Sequence, residues 1–252
     1  MSELLLLSNS TTAGNGYLEH AQEAIRELAE STSATARHVA FVPYALADRD
    51  AYTSRVAAAL EPWGLSVHGV HRGDSPARIV EEADIVFVGG GNTFRLVDAL
   101  HRTGLIEAIQ RAVAGGTAYL GSSAGTNVAT PTLCTTNDMP IVEPPSFRTL
   151  GLVPFQINPH YLDPRPGDTH QGETREERIL QYLEESVTPV IAMREGTWMR
   201  VHDGRAVLGG LEVGARVFRR GVEPVEIGPG TDVTALLQSD SGPSHTSSTG
   251  TH

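Results

Sequence analysis

Ala118-Tyr119-Leu120-Gly121-Ser122-Ser123-Ala124-Gly125 reads as a buried strand running straight into a serine bracketed by glycines. In a G-x-S-x-G turn the glycines permit a strained strand-to-helix reversal, which lifts the serine hydroxyl above the sheet edge. The helix that follows starts with unsatisfied N–H groups and a positive dipole end, both suited to an oxyanion. Ser123 is therefore a candidate nucleophile, and the Ala124 N–H a candidate oxyanion donor. Alone, the pentapeptide is moderately specific, because strand ends rich in glycine and serine are common turns.

Working outward, Leu4 to Leu7, Val39 to Val42, Leu65 to Val70 and Ile85 to Val88 also read as buried strands. Helical patterns fall between them at Tyr17 to Ala29, Arg49 to Trp63, Pro76 to Glu82 and Phe94 to Ala114, the last broken at Gly104. Leu18, Ala21, Ile25 and Leu28 have the spacing of a helix that lays one apolar face on a sheet. Strands alternating with helices predict an α/β fold: a mostly parallel, doubly wound sheet with helices on both faces. Downstream, Thr130 to Gly172 is rich in proline and turn residues and reads as loops near the site. A helix over Arg175 to Glu185 and a strand over Val190 to Met193 follow. Thr197 to His202 and Ala206 to Leu208 flank Asp203-Gly204 as a β-hairpin, with Val217-Phe218 and Val225 to Ile227 expected to extend its antiparallel edge. Residues 1–238 thus read as a single α/β hydrolytic domain. Ser239 to His252 is almost devoid of apolar residues and is predicted to be a disordered tail.

Composition removes several chemistries. The chain of 252 residues has a formal net charge of -11, which argues against a nucleic-acid partner. All 19 basic residues are arginine. Without lysine there is no Schiff base, no Walker A lysine and no Ser-Lys dyad. The single Cys134 excludes an intrachain disulfide and a cysteine zinc cluster. No stretch approaches the roughly 20 apolar residues of a membrane span, and Leu4 to Leu7 is too short, and follows an acidic Glu3, to be a signal peptide. The expectation is a cytoplasmic protein, monomer or homodimer, with no cofactor and no metal.

A second glycine loop supports the elbow. The run Ile85 to Val88 ends in Gly89-Gly90-Gly91-Asn92-Thr93, and bare glycine N–H groups at the next strand end would supply the second oxyanion donor. Both turns would lie at the carboxyl edge of the sheet, where α/β folds bind ligands. Among ten histidines, His160 stands out in Gln156-Ile157-Asn158-Pro159-His160-Tyr161, just past an apolar run that would hold it firmly. A metal site from His160, Asp163, Asp168 and His170 matches no standard ligand spacing.

Four segments together resemble the peptidase E family of α-aspartyl dipeptidases, serine peptidase family S51. They are Leu4 to Thr11, Val88 to Phe94, Thr135 to Val142, and Gln156 to His160 followed by Gly172 to Glu176. The resemblance runs to about Gly210 and implies a fold like class I glutamine amidotransferases, with serine in place of their cysteine. It also implies cleavage of dipeptides bearing N-terminal aspartate. Carried over by position, Ser123 is the nucleophile and His160 the base, while both Asp138 and Glu195 match acids implicated in orienting the histidine. Gly90, Gly91 and Ala124 are the expected oxyanion donors, and Asn92 and Arg175 the expected substrate contacts. Arg175 is the candidate cation for the aspartyl side chain, since a planar guanidinium suits a carboxylate. Family members often carry tryptophan just before the nucleophile; Ser122 stands there, and a wider pocket is the expectation. A cyanophycinase-like β-aspartyl peptidase and a non-catalytic ligand-binding relative are the alternatives.

Overall fold

A computed structural model of the chain describes residues 2–32, 37–164 and 172–238. The expected tail from Ser239, together with Asp168 and His170, lies outside the described residues. Strand β1 (Leu4–Leu7) shows why the apolar runs are continuous: all four leucines are fully buried. Successive side chains point to opposite faces, so Leu4 and Leu6 enter one core layer and Leu5 and Leu7 the other. A strand covered on both sides requires an apolar residue at every position.

Four repeats of the strand-and-helix pattern follow. Helix α1 is Gln22–Glu30, β2 Arg37–Val42, α2 Arg49–Leu60, β3 Leu65–Gly69, α3 Pro76–Glu81 and β4 Ile85–Val88. The break expected at Gly104 separates two helices, α4 (Thr93–Arg102) and α5 (Leu105–Ala114), with Gly104 in a left-handed φ of 68° between them. Strand β5 is Ala118–Ser122. These strands pair in parallel in the order β3-β2-β4-β5-β1. Helices α1 and α2 cover one face; α3, α4 and α5 cover the other.

Beyond β5 come α6 (Ala124–Asn127), β6 (Gln156–Tyr161), α7 (Arg175–Glu185), β7 (Val190–Arg194), β8 (Thr197–His202), β9 (Arg205–Gly210), β10 (Ala215–Arg219) and β11 (Val222–Ile227). The proline-rich stretch 130–172, expected as loops, therefore contains a strand. The hairpin β8-β9 completes the main sheet, with β8 antiparallel to β1.

Strands β10 and β11 correct the expectation that they extend this hairpin. They form a second sheet in the order β11-β10-β7-β6. The cause is that β10 is apolar on both faces. Ala215 and Val217 pack in the main core, whereas Phe218 packs with Tyr161, Ile179, Leu183 and Val190 beneath α7. Such a strand needs cover on both sides, which a place beyond the edge strand β9 does not provide. The second sheet brings the end of β6 to the carboxyl ends of β1, β4 and β5. Among the described residues, no helix is long and apolar enough to cross a membrane.

Candidate active site

Ser123 sits between β5 and α6 with φ 54° and ψ −110°, outside the regions an L-residue normally occupies. Neighbouring backbone forces this geometry. A Cβ on Gly121 would lie 2.7 Å from the Gly125 carbonyl oxygen, and one on Gly125 would collide with the Val88 carbonyl. From below, the buried Tyr119 hydroxyl donates to Gly125 O at 2.6 Å. The strain is thus held by contacts on several sides, as expected of a functional turn.

The glycine loop after β4 lies directly against Ser123. A Cβ on Gly90 would be 3.0 Å from Ser123 Cβ. Of the three expected oxyanion donors, the Gly90 backbone faces the Tyr52 phenol and acts to lower its pKa against the larger, raising effect of burial. The N–H groups of Gly91 and Ala124 have no partner among the described residues. Two free donors, one at a helix N-terminus, suit a developing negative charge.

His160 Nε2 lies 2.8 Å from Ser123 Oγ, and His160 Nδ1 lies 2.7 Å from Glu195 Oε1. With Nδ1–H donated to the carboxylate, Nε2 is left as acceptor for the serine hydroxyl. His160 owes its position to a break in β6. The β6–β7 register shifts between Asn158 and Tyr161, and His160 takes φ 55° there. Such a bulge re-aims a side chain. It is braced by Asn137, whose Nδ2 donates to Pro159 O at 2.8 Å, and by Asn158, whose Nδ2 donates to Asn137 Oδ1 at 3.0 Å.

Asp138 is turned elsewhere. Its Oδ2 accepts from the Thr93 N–H at 2.7 Å and the Thr93 hydroxyl at 2.6 Å. A carboxylate on the first residue of α4 satisfies an orphan donor and the helix dipole together. Of the two acids, the structure brings Glu195 to His160 and sets Asp138 on α4. Asn92, expected to touch substrate, has both amide atoms on protein. Its Oδ1 accepts from Arg95 N at 3.0 Å, and its Nδ2 donates to Met139 O at 2.9 Å.

Arg175 opens α7, whose N-cap Thr174 forms a capping box with Glu177. The Arg175 guanidinium is partly buried, and its Nη1 has no hydrogen-bond partner. Desolvation pulls its pKa below the usual arginine range, while Glu195 and Asp138 act to raise it. The unused donor leaves part of the guanidinium's hydrogen-bonding capacity unfilled. Ser122 does not widen a pocket beside Ser123, since it is fully buried. Alternation along β5 sets it on the face of Ala118 and Leu120, under α1 and α2.

Tyr52, beside the glycine loop, and Asn137, beneath His160, carry little in the sequence that marks them. Asn137 lies inside the segment Thr135 to Val142, next to Asp138, and an amide beside a proline-rich turn is its local signal. Tyr52 lies in an ordinary helix with none.

A hydroxyl, an imidazole and a carboxylate in line at the carboxyl edge of a parallel sheet define a serine hydrolase. The family model described as Peptidase family S51 matches residues 4–209. The chain belongs to that family and is a peptide hydrolase. It is 62% identical over 234 residues to Peptidase E of Streptomyces coelicolor, covering 93% of this chain and 94% of the relative. It is 48% identical over 236 residues to a Drosophila melanogaster protein named "Probable alpha-aspartyl dipeptidase", covering 93% and 97%. Among solved structures, a peptidase from an acI-B1 Actinobacterium superposes with a TM-score of 0.68 at 16% identity, covering 92% and 96%, a likeness of fold.

Proposed function

We propose that the chain hydrolyses dipeptides carrying N-terminal aspartate, through an acyl-enzyme on Ser123. The observation that carries the substrate is the unpartnered Nη1 of Arg175 on a partly buried guanidinium, on a protein whose relatives are named Peptidase E and alpha-aspartyl dipeptidase. The aspartyl carboxylate supplies the missing partner, and the planar fork of arginine reads it bidentately.

His160 Nε2 takes the Ser123 proton as Oγ attacks the scissile carbonyl carbon. Glu195 holds the imidazole in the right tautomer and stabilises the imidazolium that forms. The N–H groups of Gly91 and Ala124 hold the tetrahedral oxyanion, with Gly90 keeping the loop close to Ser123. His160 then returns the proton to the leaving amine. A water, deprotonated by the same imidazole, attacks the ester carbonyl and frees aspartate. In this reading the enzyme is cytoplasmic, acts as a monomer or homodimer and takes a small peptide as its substrate.

Incubation with Asp-Leu, Leu-Leu and β-Asp-Arg, followed by amino-acid analysis, tests the reading. Release of leucine from Asp-Leu alone is expected. Cleavage of β-Asp-Arg instead would move the chain to the β-aspartyl class, and folded protein inert toward all three would point to a non-catalytic relative. Arg175→Ala should raise KM for Asp-Leu by about 10²-fold, the loss of one charge-assisted pair. An unchanged preference for aspartate would remove Arg175 from the specificity site.

A further inference from the structure

The polar pair that ends the apolar run of β1, Ser8-Asn9, touches the site from behind. Strand β1 lies between β5, which leads into Ser123, and β8, which follows Glu195. Leu7 O accepts from the Ser123 N–H at 3.0 Å and from the Thr126 hydroxyl at 2.6 Å. The next residue is fully buried, and its hydroxyl has two partners. Ser8 Oγ accepts from the His160 N–H at 2.9 Å and donates to Met193 O at 2.9 Å. Asn9, 2% exposed, accepts at Oδ1 from the Gly196 N–H at 2.8 Å. Its Nδ2 donates to Thr11 O at 2.7 Å, which fixes the amide orientation. Three consecutive residues thus bind the backbone at the nucleophile, at the base, and on both sides of the acid.

These bonds lie where the sheets leave gaps. At the β6 bulge the ladder to β7 is interrupted, so the His160 N–H has no strand partner and takes the Ser8 hydroxyl. Glu195 stands between Met193 and Gly196, in the turn between β7 and β8. Its side chain is half-exposed and bonds to His160. The turn itself is held through Met193 O and Gly196 N.

We propose that Ser8 and Asn9 are positioning residues, which set the distance and angle among Ser123, His160 and Glu195 by tying all three backbone segments to the end of β1. This rests on the serine-peptidase reading above. The chemistry is sensitive to this placement, since a displacement of about 1 Å between reacting groups lowers rates by about 10²-fold.

The test is Ser8→Ala and Asn9→Ala in the full chain, read in three ways. Steady-state kinetics on Asp-Leu should show kcat down about 10- to 100-fold in Ser8→Ala, with KM changed by no more than about twofold. The low-field proton resonance of His160 Nδ1–H, assigned by its absence in His160→Gln, should shift or broaden. The rate of Ser123 labelling by a fluorophosphonate should fall in parallel with kcat. A folded Ser8→Ala protein with parental kcat, labelling rate and imidazole resonance would overturn the proposal. If Ser8→Ala does not fold, Asn9→Ala decides it on the same three measurements. Should the parent protein leave Asp-Leu intact, the substrate reading fails by itself; the resonance and the labelling rate still decide whether Ser8 and Asn9 position the site.

Discussion

Glu195 and Asp138 are the sharpest case at the scale of single residues, because both lie in motifs and both are acids of the right length. Their surroundings differ. Glu195 Oε1 is 2.7 Å from His160 Nδ1, whereas Asp138 Oδ2 takes two bonds from Thr93 at the start of α4. Glu195→Gln should lower kcat about 10³-fold or more, as when a triad acid is made neutral. Asp138→Asn should lower stability by about 1 kcal/mol through the weakened helix start, with a much smaller effect on kcat. Parallel kinetics and urea denaturation check this, and the reverse ranking would exchange the two roles. Ser123 and His160 were legible because each sits in a local pattern that needs no partner to be read. The choice between the acids was not, since it depends on where β6 and the turn after β7 meet, across more than thirty intervening residues.

At the scale of elements, β1, β4 and β5 were legible for a physical reason: a parallel strand buried on both faces is a run of apolar residues with nothing to confuse it. Strand β3, read as buried, is instead an edge strand with Ser66 and His68 exposed. The second sheet was not legible. Its strands β6, β7, β10 and β11 are assembled from distant segments, and the bulge that aims His160 appears only once β6 has paired with β7. Helix α7 shows what a legible element contributes. Its start is written locally, in Thr174 and Glu177, and Arg175 is its first residue. Thr174→Ala removes the side-chain cap and should cost about 1 kcal/mol. Loosening that turn displaces the cation more than the nucleophile. The expected result is a severalfold rise in KM for Asp-Leu with kcat nearly unchanged. If KM stays at the parental value, the first turn of α7 does not place the substrate cation.

At the scale of the whole molecule, the two sheets share one core layer. Leu4 and Leu6 of β1 pack in the same cluster as Ile157 of β6, Ile191 and Met193 of β7, and Ala215 and Val217 of β10. Separating the sheets would expose that layer, so a single cooperative transition in urea is expected. Fluorescence of Trp63 and Trp198, which pack against the opposite layer of the main sheet, should change together with loss of Ser123 labelling. Two resolved steps would mean that the sheets unfold separately. The acid limb of stability has an assigned contributor within the second sheet. Arg194 binds Asp163 through two bonds, at 2.6 and 2.7 Å, and Glu226 through two more, at 2.9 and 3.0 Å. Hydrogen bonds from Arg194 hold the Asp163 carboxyl below its ordinary range, against the opposing effect of burial. A carboxylate with a depressed pKa in the folded state stabilises the fold at every pH above its unfolded value of about 3.9. That contribution fades as pH falls below about 4 toward the depressed value, where the folded carboxylate also takes up its proton. Asp163→Asn should therefore be less stable than the parent at pH 7, and the gap should narrow steadily as pH falls below about 4. Urea midpoints measured across that range decide it: a gap that stays constant to low pH would mean that the pair with Arg194 contributes through shape and packing rather than through the charge on Asp163.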